Sequence, residues 1–314
     1  MALAFLLAAT AGWAADPKQP LTPLDQKEFF RPDLYISSAH APLGDVLARL
    51  PQRAAWEAFL SGERAGWANP TDIAVWVDPR SGAASNILGA YPLIPGDGFG
   101  NRIAAESARG PVDEAYVERA LRQFVRQHAA LLGIDPGQLG AARVTQVNPD
   151  LWQVYIPQAY RGLPVRHGHL VASISHGNLV TIGVDTWGDV RDLDPTPLIP
   201  AEAALQAGYG YAEGPGPEDV LLEPARLEVI PFAPAQLQDG SSYVGPLGQG
   251  YGHRLVWSFV FQRPPEDARW EVLVDARDGQ VLALQDVNHY VQRQVTGGVY
   301  PVTSTEVCPT PLKC

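Results

Sequence analysis

The 314-residue chain is 46% hydrophobic and 18% charged, enough apolar material for packed cores and for roughly two domains at about 150 residues each. Lys and Arg number 23 against 34 Asp and Glu, a formal charge of −11; this argues against non-specific nucleic-acid binding and against adhesion to anionic lipid, which both need surplus cations. The 30 Gly and 29 Pro carry no collagen period and fall between periodic segments, as turns do in a β-rich fold.

Ala2–Ala11 is an apolar run centred on Phe5, Leu6 and Leu7. Ten helical residues rise about 15 Å, half a bilayer core, so the run is too short to span. Gly12 and Ala14 then supply the small residues of a signal peptidase site, although no Lys or Arg precedes the run. The expectation is a signal peptide over 1–14 cut after Ala14, a secreted or periplasmic address, and no membrane contact once the peptide is removed. No later stretch approaches eighteen apolar residues.

Residues 15–71 form a Pro-rich, loosely patterned segment, with one or two short helices between Gly44 and Leu60 carried by Leu47, Leu50, Trp56 and Phe59. From Asp72 the period becomes two: Ile73, Val75 and Val77 alternate, the chain turns at Asp78–Gly82, and Ser85–Leu88 return as a hairpin. Asp113–Leu132 has the best helical pattern, with Asp113 as cap and Val117, Leu121, Phe124, His128 and Leu131 on one stripe. Gly133 ends it and Pro136 prevents resumption. On that stripe His128 reads as a packed histidine rather than a ligand.

Strands follow. Trp152, Val154 and Ile156 alternate; Leu170, Ala172 and Ile174 make a dry face, and His167, His169, Val171, Ser173 and Ser175 a wet one. The chain turns at His176-Gly177-Asn178 and returns through Val180, Ile182 and Val184. A Pro-rich joint at Asp192–Pro200 marks a domain boundary, and a helix starts at Pro200. Leu227–Ile230, Leu255–Phe261, Trp270–Val274 and Val281–Leu284 give a second antiparallel set, with Leu255, Trp257, Phe259 and Phe261 on one strand face. The expected fold is α+β: two antiparallel-sheet domains, at 72–190 and 196–290, each packed against helix, with a linker over 291–314.

One motif occurs twice. Val77–Gly82 and Val274–Gly279 share Val-Asp-x-Arg-x-Gly, in which the Asp can accept its own turn's amides and the Gly takes the left-handed position. Asp78 and Asp275 are therefore turn formers rather than catalysts, a lone loop carboxylate lacking the neighbours that working ones need.

Enzyme motifs are missing. No His is followed by Glu, as a zinc metalloprotease helix requires, and no G-x-S-x-G elbow occurs. The glycine clusters 96–100 and 248–252 lack the strand-before, helix-after setting of a phosphate loop and read as flexible loops. His167 and His169 stand about 7 Å apart on one face. They could share Zn²⁺ or Cu²⁺, but His176 is at the far turn and no carboxylate in the strand completes a shell; solvated residues and no metal are expected. Cys308 and Cys314 lie in the last seven residues. An exported chain permits a disulfide between them if the short loop with Pro309 and Pro311 turns back on itself. A chain stopping on Cys314 after a Pro- and Thr-rich run is expected to be the front of a longer polypeptide.

The helix ending Phe124-Val125-Arg126-Gln127-His128 with Leu132-Gly133-Ile134, the stretch Tyr160-Arg161-Gly162-Leu163-Pro164-Val165 and the Gly177 hairpin resemble the fungalysin/thermolysin propeptide domain. Arg254–Trp257 and Trp270–Leu282 are similar to a PepSY-type prosegment domain. The resemblance implies the prosegment of a secreted zinc metallopeptidase, acting as intramolecular chaperone and inhibitor. It further implies no cofactor in this chain, zinc only in a catalytic domain that these residues do not include, and that domain as partner, in cis. The segment leaving Leu284 would contact it, with Val295, Gly297, Gly298 and Tyr300 as candidates because the glycines permit an extended backbone. The alternative is a freestanding exported PepSY-like binding or protease-inhibitor module.

Overall fold

The computed structural model describes residues 23–36, 39–63, 66–108, 110–233, 243 and 245–288. The expectations placed on Ala14, Val295, Gly297, Gly298, Tyr300, Cys308 and Cys314 lie outside them.

The N-terminal segment is built from very short pieces: β1 (Phe29–Phe30), β2 (Ala41–Pro42), α1 (Leu43–Val46) and α2 (Arg53–Ala58). The hairpin expected after Asp72 is β3 (Ala74–Val77) and β4 (Ala84–Pro92). The long helix is present but broken, into α3 (Glu114–Gln127) and α4 (Ala129–Leu132). Asp113 caps it, accepting from the Tyr116 amide at 2.7 Å, and Gly133 closes it at φ 71°. The break falls at His128 (φ −111°, ψ 17°), whose ring packs 4.4 Å from that of Phe124 and edge-on to Tyr91. Burial pushes its imidazole below the usual range, as a packed histidine requires.

Then come β5 (Arg143–Asn148), β6 (Leu151–Tyr160), β7 (Leu163–Ser175) and β8 (Asn178–Asp185). Beyond the joint lie α5 (Ala201–Tyr211), β9 (Val220–Phe232), β10 (Gly252–Gln262), β11 (Arg269–Asp275) and β12 (Val281–Asp286).

The twelve strands form one sheet, ordered β1-β12-β11-β10-β9-β7-β8-β4-β3-β2, with β6 on β7 and β5 on β6. This corrects the picture of two sheets closed separately. Strands β7 and β9 meet in parallel at Val165 and Val229, and a small core of Tyr160, Val165, Val190, Val229, Leu255 and Ala276 seals the joint.

One face of each half packs on helix. In the first half Ile156, Leu170, Ala172 and Ile182 bury against Val117, Leu121 and Phe124 of α3. In the second, Phe259, Phe261, Val272 and Val274 bury under Ala204 of α5. At about 25 cal/mol per Å², a side chain such as Phe259 contributes roughly 1.5–3 kcal/mol by leaving water.

The N-terminal segment is a strap rather than loose chain. Leu24 and Phe29 join the core under α5, while Phe30 and Leu34 cover Ile230, Val256 and Leu273 on the opposite face. Strand β1 pairs with β12 at Leu284 and Ala283; β2 pairs with β3 at Val77 and Trp76. One stretch of about a dozen residues thus touches both ends of the sheet. Two-residue strands have no periodicity to read, so the sequence pattern hides them.

Candidate binding groove at the sheet junction

Where β7 leaves β9 and passes to β8, the backbone irregularity falls at His167, which has φ 66°. Left-handed backbone is uncommon for a side-chain-bearing residue. On one side of it Val165 pairs with Val229; on the other His169 pairs with Asp185.

Between them Arg166 reaches under the second half of the sheet. Its Nη1 and Nη2 donate to the two Glu271 oxygens at 2.8 and 2.7 Å, and Nη2 also donates to Glu228 Oε1 at 2.5 Å. Gln285 Nε2 donates to Glu271 at 2.9 Å. The three charged side chains are only 11%, 5% and 8% exposed. Burial alone would raise the Glu271 carboxyl, but the hydrogen bonds and charge of Arg166, with Gln285, outweigh it and hold the acid below its usual range. Burial likewise opposes the Arg166 charge, and the two carboxylates more than compensate. Removing Arg166 would strand two buried carboxylates, a cost of about 3–5 kcal/mol.

Above this cluster is a groove of about 800 Å³ on the face away from α3 and α5. The strap contributes Phe30, Leu34, Tyr35 and Ile36 to one wall. Tyr155, His167 and His169 form the other, and Asp185, Thr186 and Gln285 complete the lining. The His169 ring stacks on Tyr155 at 5.0 Å, and its Nδ1 lies 2.8 Å from the His167 carbonyl oxygen.

The structure thus brings the two candidate histidines together, on the wet side of β7 as alternation requires. His176 sits elsewhere, at the β7–β8 turn, with Nδ1 2.8 Å from Asp97 Oδ1. Among the described residues no group of three or more His, Cys, Asp or Glu is placed to hold a metal ion.

A second cleft, about 430 Å³, lies between the halves on the loop side, with Arg80, Asp189, Arg191, Tyr251 and His253 among its lining. Here Asp78 is not a lone loop acid. It is 4% exposed, pairs with Arg80 (Nε–Oδ1 3.0 Å) and accepts from the Tyr251 hydroxyl at 2.7 Å. Burial, then the Asp78 charge, pushes the Tyr251 phenol up.

The 248–252 glycine cluster, expected to be flexible, is docked. Gly248 and Gly250 donate backbone amides to Pro79 and Arg80 carbonyls at 3.0 and 2.8 Å. A Cβ on Gly250 would meet the Arg80 side chain at 2.6 Å, so only glycine lets the loop come this close. The 96–100 cluster is pinned too, Gly98 donating to the His176 carbonyl at 2.8 Å.

Sequence reasoning missed Arg166, Glu228, Glu271 and the aromatic residues of the strap. The available signal was charge inside buried strands: Glu271 lies between Trp270 and Val272, and Glu228 between Leu227 and Val229. Such positions are almost never buried unless paired.

Residues 234–284 match the family model described as peptidase propeptide and YPEB domain, PepSY. Among described elements the match takes in β10, β11 and most of β12, and therefore Glu271 and the Val274–Gly279 turn; Arg166 and Glu228 fall outside it. No curated protein matches the chain. Among solved structures the Bacillus megaterium YpeB C-terminal domain is similar at 12% identity and a TM-score of 0.29, over 76% of this chain and 96% of that one. At that score the likeness bears on neither fold nor function.

Proposed function

We propose that this chain is the prosegment of an exported zinc metallopeptidase of the thermolysin or fungalysin kind, assisting the folding of the catalytic domain and inhibiting it until removed. The observation that carries the reading is the PepSY match at 234–284. The resemblance of residues 72–190 to the companion propeptide domain adds to it. In this reading the chain performs no catalysis and holds no cofactor, and zinc belongs to the partner.

A prosegment acts by shape. It must present a rigid surface on which the catalytic domain completes its own packing, and a stable complex buries at least about 1,200 Å² in total. The sheet runs on from one half to the other through the β7–β9 pairing, and the strap pairs with both β12 and β3. Residues 286–305, with Val295, Gly297, Gly298 and Tyr300, are assigned in this reading to the active-site cleft. A freestanding exported binding or inhibitor module is the second reading, favoured by the open groove.

The test is the inhibition constant of residues 16–305 and of 16–285 against a separately folded thermolysin-like catalytic domain. Inhibition by the longer chain that weakens in the shorter one is expected. Equal inhibition would remove the tail from the mechanism; inhibition by neither would leave the freestanding module.

A further inference from the structure

We infer that the junction groove is a docking site for an extended peptide segment of a partner protein bearing a basic side chain, Arg or Lys. The inference rests on reading the chain as a protein-binding module but not on the partner being a peptidase.

Charge selects the occupant. Arg166, Arg226 and Arg269 stand against Glu223, Glu228, Glu271 and Asp185 around the groove and under its floor, an excess of one carboxylate, and Asp185 lines the groove itself. The neighbouring Arg31, Arg254, Asp33 and Asp275 pair among themselves and add nothing net.

Shape selects it further. Tyr35 is 59% exposed and Tyr155 40%, so both offer aromatic surface to a ligand. Both line the same groove, where tyrosine faces attract a guanidinium or ammonium group. Asp185 at the groove end supplies a carboxylate for a charge-assisted hydrogen bond. Leu34 and Ile36 give apolar wall for the residues flanking the cation. The groove is open and lies along the sheet joint, so it suits a stretch of main chain with one side chain lodged rather than an enclosed small molecule.

The experiment is a fluorescence-anisotropy titration of the full chain with fluorescein-labelled Ala-Leu-Arg-Leu-Ala-amide and its Arg→Glu counterpart. The Arg peptide should bind about tenfold more tightly, and Asp185→Asn or Tyr155→Ser should each erase most of that preference. Tyr35→Ser, on the exposed strap, repeats the test should the Asp185 variant lose its native circular dichroism. Equal binding of the two peptides, or a preference untouched by all three substitutions, overturns the inference. Peptide binding without inhibition of a thermolysin-like domain would overturn the prosegment reading alone; inhibition without peptide preference would overturn the groove alone.

Discussion

The two Val-Asp-x-Arg-x-Gly turns have nearly the same backbone and different fates. In each, the Asp carboxylate takes the amide two residues on, Arg80 at 2.8 Å and Arg277 at 2.9 Å. In each the Gly amide returns to the Asp carbonyl, with φ 75° at Gly82 and 78° at Gly279. There the likeness ends. Arg80 folds back on Asp78, is 1% exposed, and lies under the Tyr251 ring of the docked glycine loop. Arg277 instead points outward and donates to the Asp194 carbonyl at 3.1 Å. The motif fixes the turn; the neighbourhood decides whether its arginine is buried in a clasp, as at Arg80, or left at the surface, as at Arg277, while Asp275 is buried against Arg254 instead.

That contrast can be broken most sharply by mutation of the arginines. Arg80→Met should cost about 3–5 kcal/mol in urea unfolding followed by tryptophan fluorescence, because Asp78 stays buried without its cation. A loss below about 1 kcal/mol would mean that the first turn is as open as the second.

The second test is acid. His253 lies beside the docked loop and is held at about 4 by burial, which outweighs the opposing effect of the Gly188 backbone. The unfolded chain therefore binds the extra proton between about pH 6.5 and 4, so stability falls as pH drops through that window, by up to about 3 kcal/mol. His253→Gln should flatten that part of the curve, and an unchanged acid limb would show that the ring is not buried.

Smaller effects sharpen the comparison. Tyr251→Phe removes one hydrogen bond to a charged acceptor and should cost about 1.5–3 kcal/mol. Arg277→Met should stay within about 0.5 kcal/mol. Were it to equal Arg80→Met, the two turns would be energetically alike.

Much of this architecture was legible. Alternation located the dry face of β7 at Leu170, Ala172 and Ile174, and the aromatic face of β10 at Phe259 and Phe261. The turn residues Asp78, Gly82, Asp275 and Gly279 announced their own conformation. Local rules stop at contacts between distant residues, however. The single β7–β9 pairing at Val165 leaves no periodic trace, and neither do two-residue strands such as Phe29–Phe30. The groove was half visible: His167 and His169 stood out as a pair, whereas Arg166, adjacent to them, acquires its meaning only from Glu228 and Glu271, 62 and 105 residues away. The glycine loop at 248–252 misled for a similar reason, since glycine serves close approach as readily as flexibility.

The open face at the sheet junction is the surface proposed to bind a partner. Hydrogen exchange of the full chain, with and without an equimolar thermolysin-like catalytic domain, tests it directly. Slower exchange over residues 29–36 and 163–171, with α3 and α5 unchanged, is the predicted result. Identical exchange along the whole chain in both samples would contradict it.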